Sequence, residues 1–418
     1  MKNFPVSRES CFVMRWTVAE LQPFLFMRSL PLPVFLMRTR LVWLACLLAF
    51  WLGGCAVNSD QSTPTKSLVG SLRLLGEQRI ALNAPFMGTV IGGLSGIDYD
   101  PRSDTWVAES DDRSEVSPAR FYTLKLRYDL QGFHALQVDA VTLLRQADGS
   151  LYPDAREAAV RGGDIPDLES IRVDPLDGSL WYSSEGNRPK KMSPFVRRAD
   201  RDGSYLSQFP TGTMFQVRPD QPLGPRDNLS FEGLSFSPDG QTLWLGMEAP
   251  LYQDGEVPTL EHGALARITH YRRDGTIIAQ YAYSLDAIAH APGGRYADNG
   301  LSELLAVDAH HLLALERSGV QGSDGVFRFH IRLYEMDISN ATDIAAMPAL
   351  AGQCCIRPAG KRLILDFDTL PLAKIDNLEG VSWGPRLANG HDSLVFISDN
   401  NFNASQVTQL LAFEVIPP

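Results

Sequence analysis

Cysteine is scarce in this chain of 418 residues, which contains five, and no two of them have the C-x-x-C spacing of a zinc site. Three of the five lie within residues 1–55, so only the adjacent Cys354 and Cys355 belong to the main body of the chain. A disulfide between adjacent cysteines is strained. Free thiols and a bridge that stabilises a loop are equally consistent with this pair.

Other motifs that bind metals or nucleotides are also lacking. The eight histidines include no H-E-x-x-H spacing, and no P-loop or dinucleotide fingerprint before a helix is present. Residues 380–384 match G-x-S-x-G, but Ser382 lies within a β-strand pattern rather than at the strand–turn–helix elbow that a serine hydrolase needs. The match is therefore interpreted as chance, and the acidic residues remain as candidates for chemistry.

Positive charge is in the minority, with 38 Lys and Arg against 49 Asp and Glu and a net charge of -11. No local basic patch offsets this balance, so nucleic acid is not an expected partner. An acidic balance suits cation binding, although it also aids solubility. With 44% hydrophobic and 21% charged residues, the composition excludes a mainly disordered, collagen-like or polytopic membrane protein.

Residues 1–55 have the pattern of a targeting segment. Arg38 and Arg40 precede an apolar run, 41–51, that is too short to span a membrane comfortably, and LGGC (52–55) follows. This pattern resembles a bacterial lipoprotein signal, which implies that Cys55 is the lipidated first residue of the mature protein. The alternatives are a plain signal peptide and a short anchor helix.

The flanks of this segment refine the prediction. Up to 36 residues precede a complete signal, so Met27 and Met37 are alternative starts. Ala56 after the cysteine favours the outer membrane in lipoproteins of this class. Residues 56–67 are polar and rich in Ser, Thr and Pro, which predicts a flexible tether. The expected location is the bacterial cell envelope, with the lipid anchor as the only membrane contact.

Five segments of the remaining chain, 68–418, share one pattern. Each has a short β-pattern, a turn rich in Asp, Pro or Gly, and a second β-pattern that ends in an acid, which indicates a hairpin. Further strand-like runs follow each hairpin, so the sequence predicts an all-β fold, a β-propeller with five blades or with a sixth degenerate one. The early strand at 71–82 is expected to close the ring. The five segments are residues 93–112, 168–187, 231–249, 301–318 and 378–401.

The hairpins are expected to bring acids together at one mouth of the propeller channel. Residues at equal distances in sequence from the centre of a turn face each other across an antiparallel hairpin. This rule predicts that the acid of the second strand lies opposite the acid of the first. The first-strand set is Glu169, Glu232, Glu303 and Glu379, with Ser95 at this place in the first repeat, and the second-strand set is Asp111, Glu185, Glu248, Glu316 and Asp399.

Acids at this density require a neutralising partner, which is a proton, an arginine or a hard cation. Oxygen ligands without His or Cys favour calcium or magnesium over zinc. Arg113, Arg188 and Arg317 follow second-strand acids closely and are candidates to hold a phosphate or carboxylate ester. The alternative is structural, because acids at repeated positions also cap turns and bind neighbouring backbone.

The repeats resemble the phytase-like family, also described as esterase-like activity of phytase, over roughly residues 85–415. The resemblance rests on GLSGIDYD, on DLESIRVD with LWYSSEGN, on NLSFEGLSFSPDG with LWLGMEA, and on DNLEGVSW with VFISDNN. It implies a propeller that hydrolyses phosphoesters or esters through acids, which here are Glu169, Glu185, Glu232, Glu248, Glu316 and Glu379. The first repeat departs from the pattern at Ser95.

The sequence therefore predicts a phosphoester hydrolase with a divalent cation, Ca²⁺ being the first candidate, and a small ester or phosphoester as substrate. The alternatives are a propeller that binds a ligand or protein without catalysis, and a metal-dependent hydrolase of lactones or sugar esters. The predicted catalytic residues are Glu169, Glu232 and Glu379, the substrate-binding residues Arg113, Arg188 and Arg317, and the metal ligands Asp111, Glu185, Glu248, Glu316 and Asp399.

Overall fold

The computed structural model describes residues 68–418, and these are almost entirely β-structure. The predicted signal segment 1–55 with its lipidation site Cys55, and the predicted tether 56–67, lie outside the described residues. Within residues 68–418, no helix is long and apolar enough to cross a membrane. All five repeats fall in the described part of the chain.

Five four-stranded antiparallel sheets form the fold, one for each repeat. They are preceded by β1 (Ser71–Ile80) and by the hairpin of β2 (Ala84–Phe86) and β3 (Thr89–Ile91). Blade 1 contains β4 (Ile97–Asp100), β5 (Thr105–Glu109), β6 (Arg120–Asp129) and β7 (Gly132–Leu143), and blade 2 contains β8 (Leu168–Val173), β9 (Leu180–Ser184), β10 (Phe195–Ala199) and β11 (Tyr205–Phe209). Blade 3 contains β12 (Phe231–Phe236), β13 (Thr242–Met247), β14 (Ala264–Arg272) and β15 (Ile277–Leu285).

Blade 4 contains β16 (Gly300–Ala306), β17 (His311–Gln321), β18 (Phe327–Asp337) and β19 (Gly360–Asp366), and blade 5 contains β20 (Asn377–Trp383), β21 (Ser393–Asp399), β22 (Thr408–Ile416) and, at its outer edge, β1. One short helix, α1 (Ala155–Arg161), lies between blades 1 and 2 in sequence. The described residues also include single 3-10 turns at Thr213–Phe215, Tyr252–Asp254 and Phe367–Thr369.

The sheets surround a central channel as a closed propeller. The innermost strands β4, β8, β12, β16 and β20 each contact the innermost strand of the next blade, and β20 contacts β4, which completes the ring. The ring is also closed at its edge, because β1 pairs with β22 from Ser71 opposite Ile416 to Ile80 opposite Thr408. The predicted all-β propeller is confirmed, and it has five blades rather than six.

The turns of the inner hairpins in blades 2 and 3 follow from their Asp-Gly sequences, Asp177-Gly178 and Asp239-Gly240. Gly178 and Gly240 adopt φ values of 82° and 71°, in the left-handed region that glycine enters without strain. The carboxylates of Asp177 and Asp239 accept backbone N–H groups two residues later, at 2.9 and 3.0 Å. This local chemistry sets where these two hairpins reverse.

Large apolar side chains fill the spaces between neighbouring blades. Trp106, Trp181 and Trp244 lie in the second strands of blades 1, 2 and 3 and are at most 2% exposed. The Trp181 ring packs edge-on against Phe236 of the next blade, with 5.4 Å between ring centroids. Burying a large apolar side chain contributes about 1.5–3 kcal/mol. This packing fixes the inner strands at the channel.

Arg172 of β8 occupies the channel itself and is 2% exposed. Its guanidinium donates hydrogen bonds of 2.5–3.2 Å to one backbone carbonyl in each of the other four innermost strands. These acceptors are the carbonyl oxygens of Ile97, Leu234, Leu304 and Val381. One side chain therefore connects all five blades and separates the two mouths of the channel.

Candidate functional site

A β-bulge interrupts the inner hairpin of four blades and sets the geometry of the site. The strand register shifts at Glu169 in blade 2, Glu232 in blade 3, Ser302 in blade 4 and Glu379 in blade 5. A bulge adds one unpaired residue and redirects its side chain. The three glutamates that occupy the bulges all line one cavity of about 600 Å³.

The bulges make the predicted cross-strand pairing wrong. Asp399 pairs with Asn377 and not with Glu379, because the bulged residue is skipped by the ladder. In blade 2, the Glu185 N–H likewise bonds to the carbonyl of Asp167, two residues before Glu169. Asp399, Glu185 and Glu248 therefore each lie opposite the residue two positions before the bulge.

Glu303 was expected at the mouth and lies deeper in the channel. It is fully buried and forms an ion pair of 2.7 Å with Arg172 Nη2. Burial raises its pKa to about 7. The cause is the register of blade 4, where Ser302 holds the position that Glu169 holds in blade 2. Blades 1 and 4 thus carry serine where blades 2, 3 and 5 carry glutamate.

Two groups of three carboxylates converge in blades 2 and 3. Asp167, Glu169 and Glu185 form one group, and Glu185, Glu232 and Glu248 form the other. Within each group, one carboxylate oxygen per residue lies within 4.8 Å of the others. Glu185 belongs to both groups, so the two potential cation positions are adjacent.

Burial and mutual repulsion raise the pKa values of these acids. Glu169, Glu185 and Glu232 are 8%, 4% and 4% exposed. Desolvation is the largest cause of the raised pKa values, and the next is the charge of Glu232 on Glu169 and of Glu248 on Glu185 and Glu232. Burial also raises the pKa of Glu248 to about 8. At neutral pH these groups must take up protons or a cation.

A second acidic patch lies where blades 5 and 1 meet. Burial raises the pKa of Asp111, and the charges of Asp399 and Glu379 raise it further. Asn377 Nδ2 donates to Glu379 Oε1 at 2.8 Å and to Asp399 Oδ2 at 3.4 Å. Asn377 is 2% exposed, and its Oδ1 has no hydrogen-bond partner among residues 68–418. This side of the cavity therefore has an additional oxygen able to bind a cation or a donor.

Two of the three predicted arginines reach the cavity. Arg317 holds the position in blade 4 that acids hold elsewhere, since it pairs with Gly300 as Asp399 pairs with Asn377. Its Nη2 lies 3.0 Å from Glu248 Oε1, and its Nε lies 3.6 Å from Glu379 Oε1. Arg113 forms an ion pair with Asp167 and donates to Asn228 Oδ1. The cavity thus combines many acids with two guanidinium groups.

The structure places the other predicted site residues differently. Glu316 pairs with Leu301 and is bound by Tyr283 Oη at 2.7 Å and by Lys361, between the blades. The Arg188 guanidinium donates to four backbone carbonyls within residues 218–225 and lies 4.5 Å from the centre of the Tyr252 ring. Neither residue lines the cavity.

Asp167 is a cavity residue that the sequence analysis missed. It lies two positions before the bulged Glu169, and its side chain belongs to one of the two carboxylate groups. A signal was available, since DLE at 167–169 and NLE at 377–379 place an acid or amide at the same point of the repeat.

The structure also describes the G-x-S-x-G serine and the adjacent cysteines. Ser382 lies in β20 and donates to Asp98 Oδ1 at 2.6 Å, near the other mouth of the channel, so it forms no nucleophile elbow. Cys354 and Cys355 are exposed free thiols.

The matching family agrees with the acid-bearing repeats. Residues 89–402 match the family model described as phytase-like, esterase-like activity of phytase. The chain belongs to the phytase-like family. The match covers the five inner hairpins and every acid that lines the cavity.

Solved structures are similar to the phytase-like chain at low identity, and no curated protein matches it. A tail fibre of Staphylococcus aureus phage P68 is 11% identical over 82% of this chain, with a TM-score of 0.35, and the chain spans only 52% of that protein. A thermostable family-43 glycoside hydrolase is 8% identical over 77% of this chain and 89% of its own, with a TM-score of 0.38. The alpha-L-arabinofuranosidase catalytic domain of Coprinopsis cinerea is 10% identical over 83% of this chain and 97% of its own, with a TM-score of 0.37.

Proposed function

We propose that this protein hydrolyses phosphate esters with a divalent cation, Ca²⁺ in the first instance, bound by the acids of blades 2 and 3. Membership in the phytase-like family supports a hydrolase. The observation that carries the proposal is the pair of carboxylate groups that share Glu185, with oxygens within 4.8 Å of one another in a buried setting. Such an arrangement is unstable without neutralising charge.

The donor atoms fit a hard cation. Both groups offer carboxylate oxygens only, which suits calcium or magnesium rather than zinc or copper. Among residues 68–418, no ion pair joins Glu169 or Glu232 to a cationic side chain, so either glutamate can accept a proton during the reaction. Asp167 and Glu248, by contrast, are already paired with Arg113 and Arg317.

The residues of the cavity divide into three roles. Glu185 binds the cation together with Asp167 at one carboxylate group or with Glu248 at the other, and Asp111 and Asp399 add oxygens on the other side of the cavity. Arg113 and Arg317 hold the anionic part of the substrate. Glu169 or Glu232 accepts a proton from the attacking water, while Glu379 positions Arg317. A bound divalent cation supplies positive charge that keeps these acids ionised and polarises a phosphoryl oxygen.

The proposed location rests on the sequence alone. We propose that lipidation at Cys55 anchors the propeller to the outer membrane through the tether 56–67, and that the membrane is contacted only through this lipid. Incorporation of labelled palmitate into the wild-type chain, and its loss in Cys55→Ala, is the expected result. Equal labelling of both chains would contradict the anchor.

The test of the proposed activity uses the full chain and a panel of phosphate monoesters and diesters, with calcium and then with a chelator. Turnover is expected with calcium and is expected to fall when the chelator is added. Glu169→Gln and Glu232→Gln are expected to lower kcat by roughly 10²–10⁴-fold for whichever acts as the base. Glu157→Gln, on the exposed helix α1, is the matched control and should leave turnover unchanged.

The same assay separates the proposal from its alternatives. Absence of chelator-sensitive turnover on every phosphate ester contradicts the proposed activity. Calcium-dependent stabilisation without any turnover then supports a propeller that only binds a ligand or protein. Turnover of lactones or sugar esters, but not of phosphates, supports the alternative of a metal-dependent hydrolase of lactones or sugar esters.

A further inference from the structure

The charge of the cavity restricts the kind of phosphate ester that fits it. Ten carboxyl groups line the cavity, against the two guanidinium groups of Arg113 and Arg317. Asp112 is paired with the buried Arg120 behind the cavity wall, which leaves nine. Two divalent cations and both arginines would bring six positive charges against these nine groups. Such a cavity can accept one phosphoryl group far more readily than several.

One wall of the same cavity is apolar. Phe327 and Phe329 lie two residues apart on β18, so their side chains share one face of the sheet, with ring planes 18° apart and centroids 6.3 Å apart. Phe402 and Val116 also line the cavity, and Val116 is 49% exposed. A wall of this kind offers no partner to a phosphate group, but it suits an aromatic or aliphatic group.

Phe402 is placed at the cavity by an unusual turn. Asn401 and Phe402 have φ values of 46° and 50°, a region that bulky side chains rarely adopt. The turn is fixed by side chains, since Asp399 Oδ1 accepts the N–H of Asn401 at 2.8 Å and Asn400 Oδ1 accepts that of Phe402 at 3.0 Å. A strained backbone maintained by its surroundings is characteristic of functional sites.

The seat of the Phe402 ring is equally specific. The ring lies against Gly92 and Gly93, where a Cβ added at Gly92 would come within 2.6 Å of a ring carbon. Asp399, which caps the turn, is itself one of the cavity acids. The Phe402 ring and the cavity acid Asp399 therefore belong to one segment, and the hydrogen bonds of its turn orient both side chains.

We propose that the substrate is an ester with a single phosphoryl group and an apolar leaving group, which packs against Phe327 and Phe402, and not a polyphosphate. This inference rests on the proposed function. In the reaction, the oxygen of water forms a bond to phosphorus, the ester P–O bond breaks, and the departing alcohol or phenol receives a proton. The acidic side of the cavity holds the phosphoryl group, and the aromatic wall holds the group that leaves.

The test compares three substrates on the full chain in calcium: 1-naphthyl phosphate, methyl phosphate and inositol hexakisphosphate. The expected order of kcat/KM is naphthyl, then methyl, with little or no turnover of the hexakisphosphate. Phe402→Ala is expected to raise KM for naphthyl phosphate about tenfold, the effect of losing roughly 1.4 kcal/mol of binding, and to leave methyl phosphate unchanged. Phe402→Leu and Phe327→Leu keep apolar volume and guard against loss of folding.

Leu206→Ala is the matched control, because this exposed apolar side chain lies on β11 and does not line the cavity. The inference is overturned if inositol hexakisphosphate has the highest kcat/KM, or if the aromatic variants leave the naphthyl-to-methyl ratio unchanged. If no ester is hydrolysed, the proposed function fails. Calorimetric binding of 1-naphthyl phosphate and inositol hexakisphosphate to the wild type and Phe402→Ala then decides the ligand class, with preference for the hexakisphosphate counting against it.

Discussion

Glu185 links the acids of blades 2 and 3. It belongs to both carboxylate groups, and its Oε1 accepts the N–H of Ser230 at 2.6 Å. With 4% of its surface exposed, its charge is poorly screened by water, and burial and the charges of Glu248 and Asp167 raise its pKa. A cation bound by either group would relieve more repulsion at this residue than at any single neighbour.

Glu185→Gln should therefore distinguish the effect of charge repulsion on stability from the effect of calcium binding. In the presence of a chelator, the variant is expected to be more stable than the wild type by roughly 1–3 kcal/mol, and therefore to melt at a higher temperature, because one buried charge is removed. Addition of calcium should raise the melting temperature of the wild type and much less that of the variant. An equal calcium-dependent rise in both, with the exposed Glu157→Gln as control, would contradict the assignment.

Glu109 titrates under different conditions from an ordinary glutamate. It is fully buried, and a Cβ added at Gly96 would lie 2.3 Å from its carboxylate oxygen. Burial raises its pKa to about 8 from 4.5, and the charge of Glu303 acts in the same direction. The folded chain therefore retains a proton at pH values where the unfolded chain has lost it.

This retention makes the protein less stable as the pH rises. Between about 4.5 and 8 the folded state binds more protons at Glu109 than the unfolded state, so the free energy of unfolding falls by up to about 1.4 kcal/mol per pH unit for this group. Urea denaturation from pH 5 to 8, in chelator, should show a shallower decline for Glu109→Gln. Parallel declines for variant and wild type would show that Glu109 does not titrate in this range.

At the scale of strands and hairpins, the sequence predicts what is local. Turns rich in Asp, Pro or Gly between β-patterns identify the inner hairpins, and their repetition identifies the five blades. The strand pattern before the first hairpin identifies the closing strand β1. A bulge adds a residue without changing the composition of the strand, so pairing by residue sums failed at Glu379 and Glu169. The same shift of one residue explains why Glu303 was expected at the bulge of blade 4, a position that Ser302 occupies.

Contacts between segments that are distant in the chain could not be predicted from the sequence. Arg188 follows an acid of the repeat, yet its guanidinium binds a loop at residues 218–225. Glu316 ends a strand pattern as the other acids do, yet Lys361 of β19 neutralises it. Sequence spacing shows which residues carry charge, but their partners depend on how the loops and blades pack.

The close approach of inner strands at Gly380 provides a prediction for this scale. A Cβ added there would lie 2.7 Å from the backbone oxygen of Ser95 in the neighbouring blade. Gly380→Ala should therefore separate β20 from blade 1 and destabilise the protein by about 1–3 kcal/mol. Urea denaturation measures this loss, and a change of less than a few tenths of a kcal/mol would show that the strands adjust freely.

At the scale of the whole molecule, Arg172 holds the ring together from its centre. Arg172→Met removes hydrogen bonds to four blades and leaves Glu303 as an unpaired buried acid, which is expected to cost about 3–5 kcal/mol. Arg328→Met, which breaks an exposed ion pair with Asp324, should leave the free energy of unfolding nearly unchanged, because water screens exposed charges. Equal midpoints in urea for the two variants would contradict a central role for Arg172.

The most direct test of the account is a calorimetric titration of calcium into the full chain after removal of bound metal. The account predicts saturable binding with a dissociation constant of roughly 10⁻³ M or tighter, weakened at least tenfold in Glu185→Gln, since both carboxylate groups lose a ligand. No heat of binding at millimolar calcium or magnesium, together with an unchanged melting temperature, would contradict a cation site formed by the acids of blades 2 and 3.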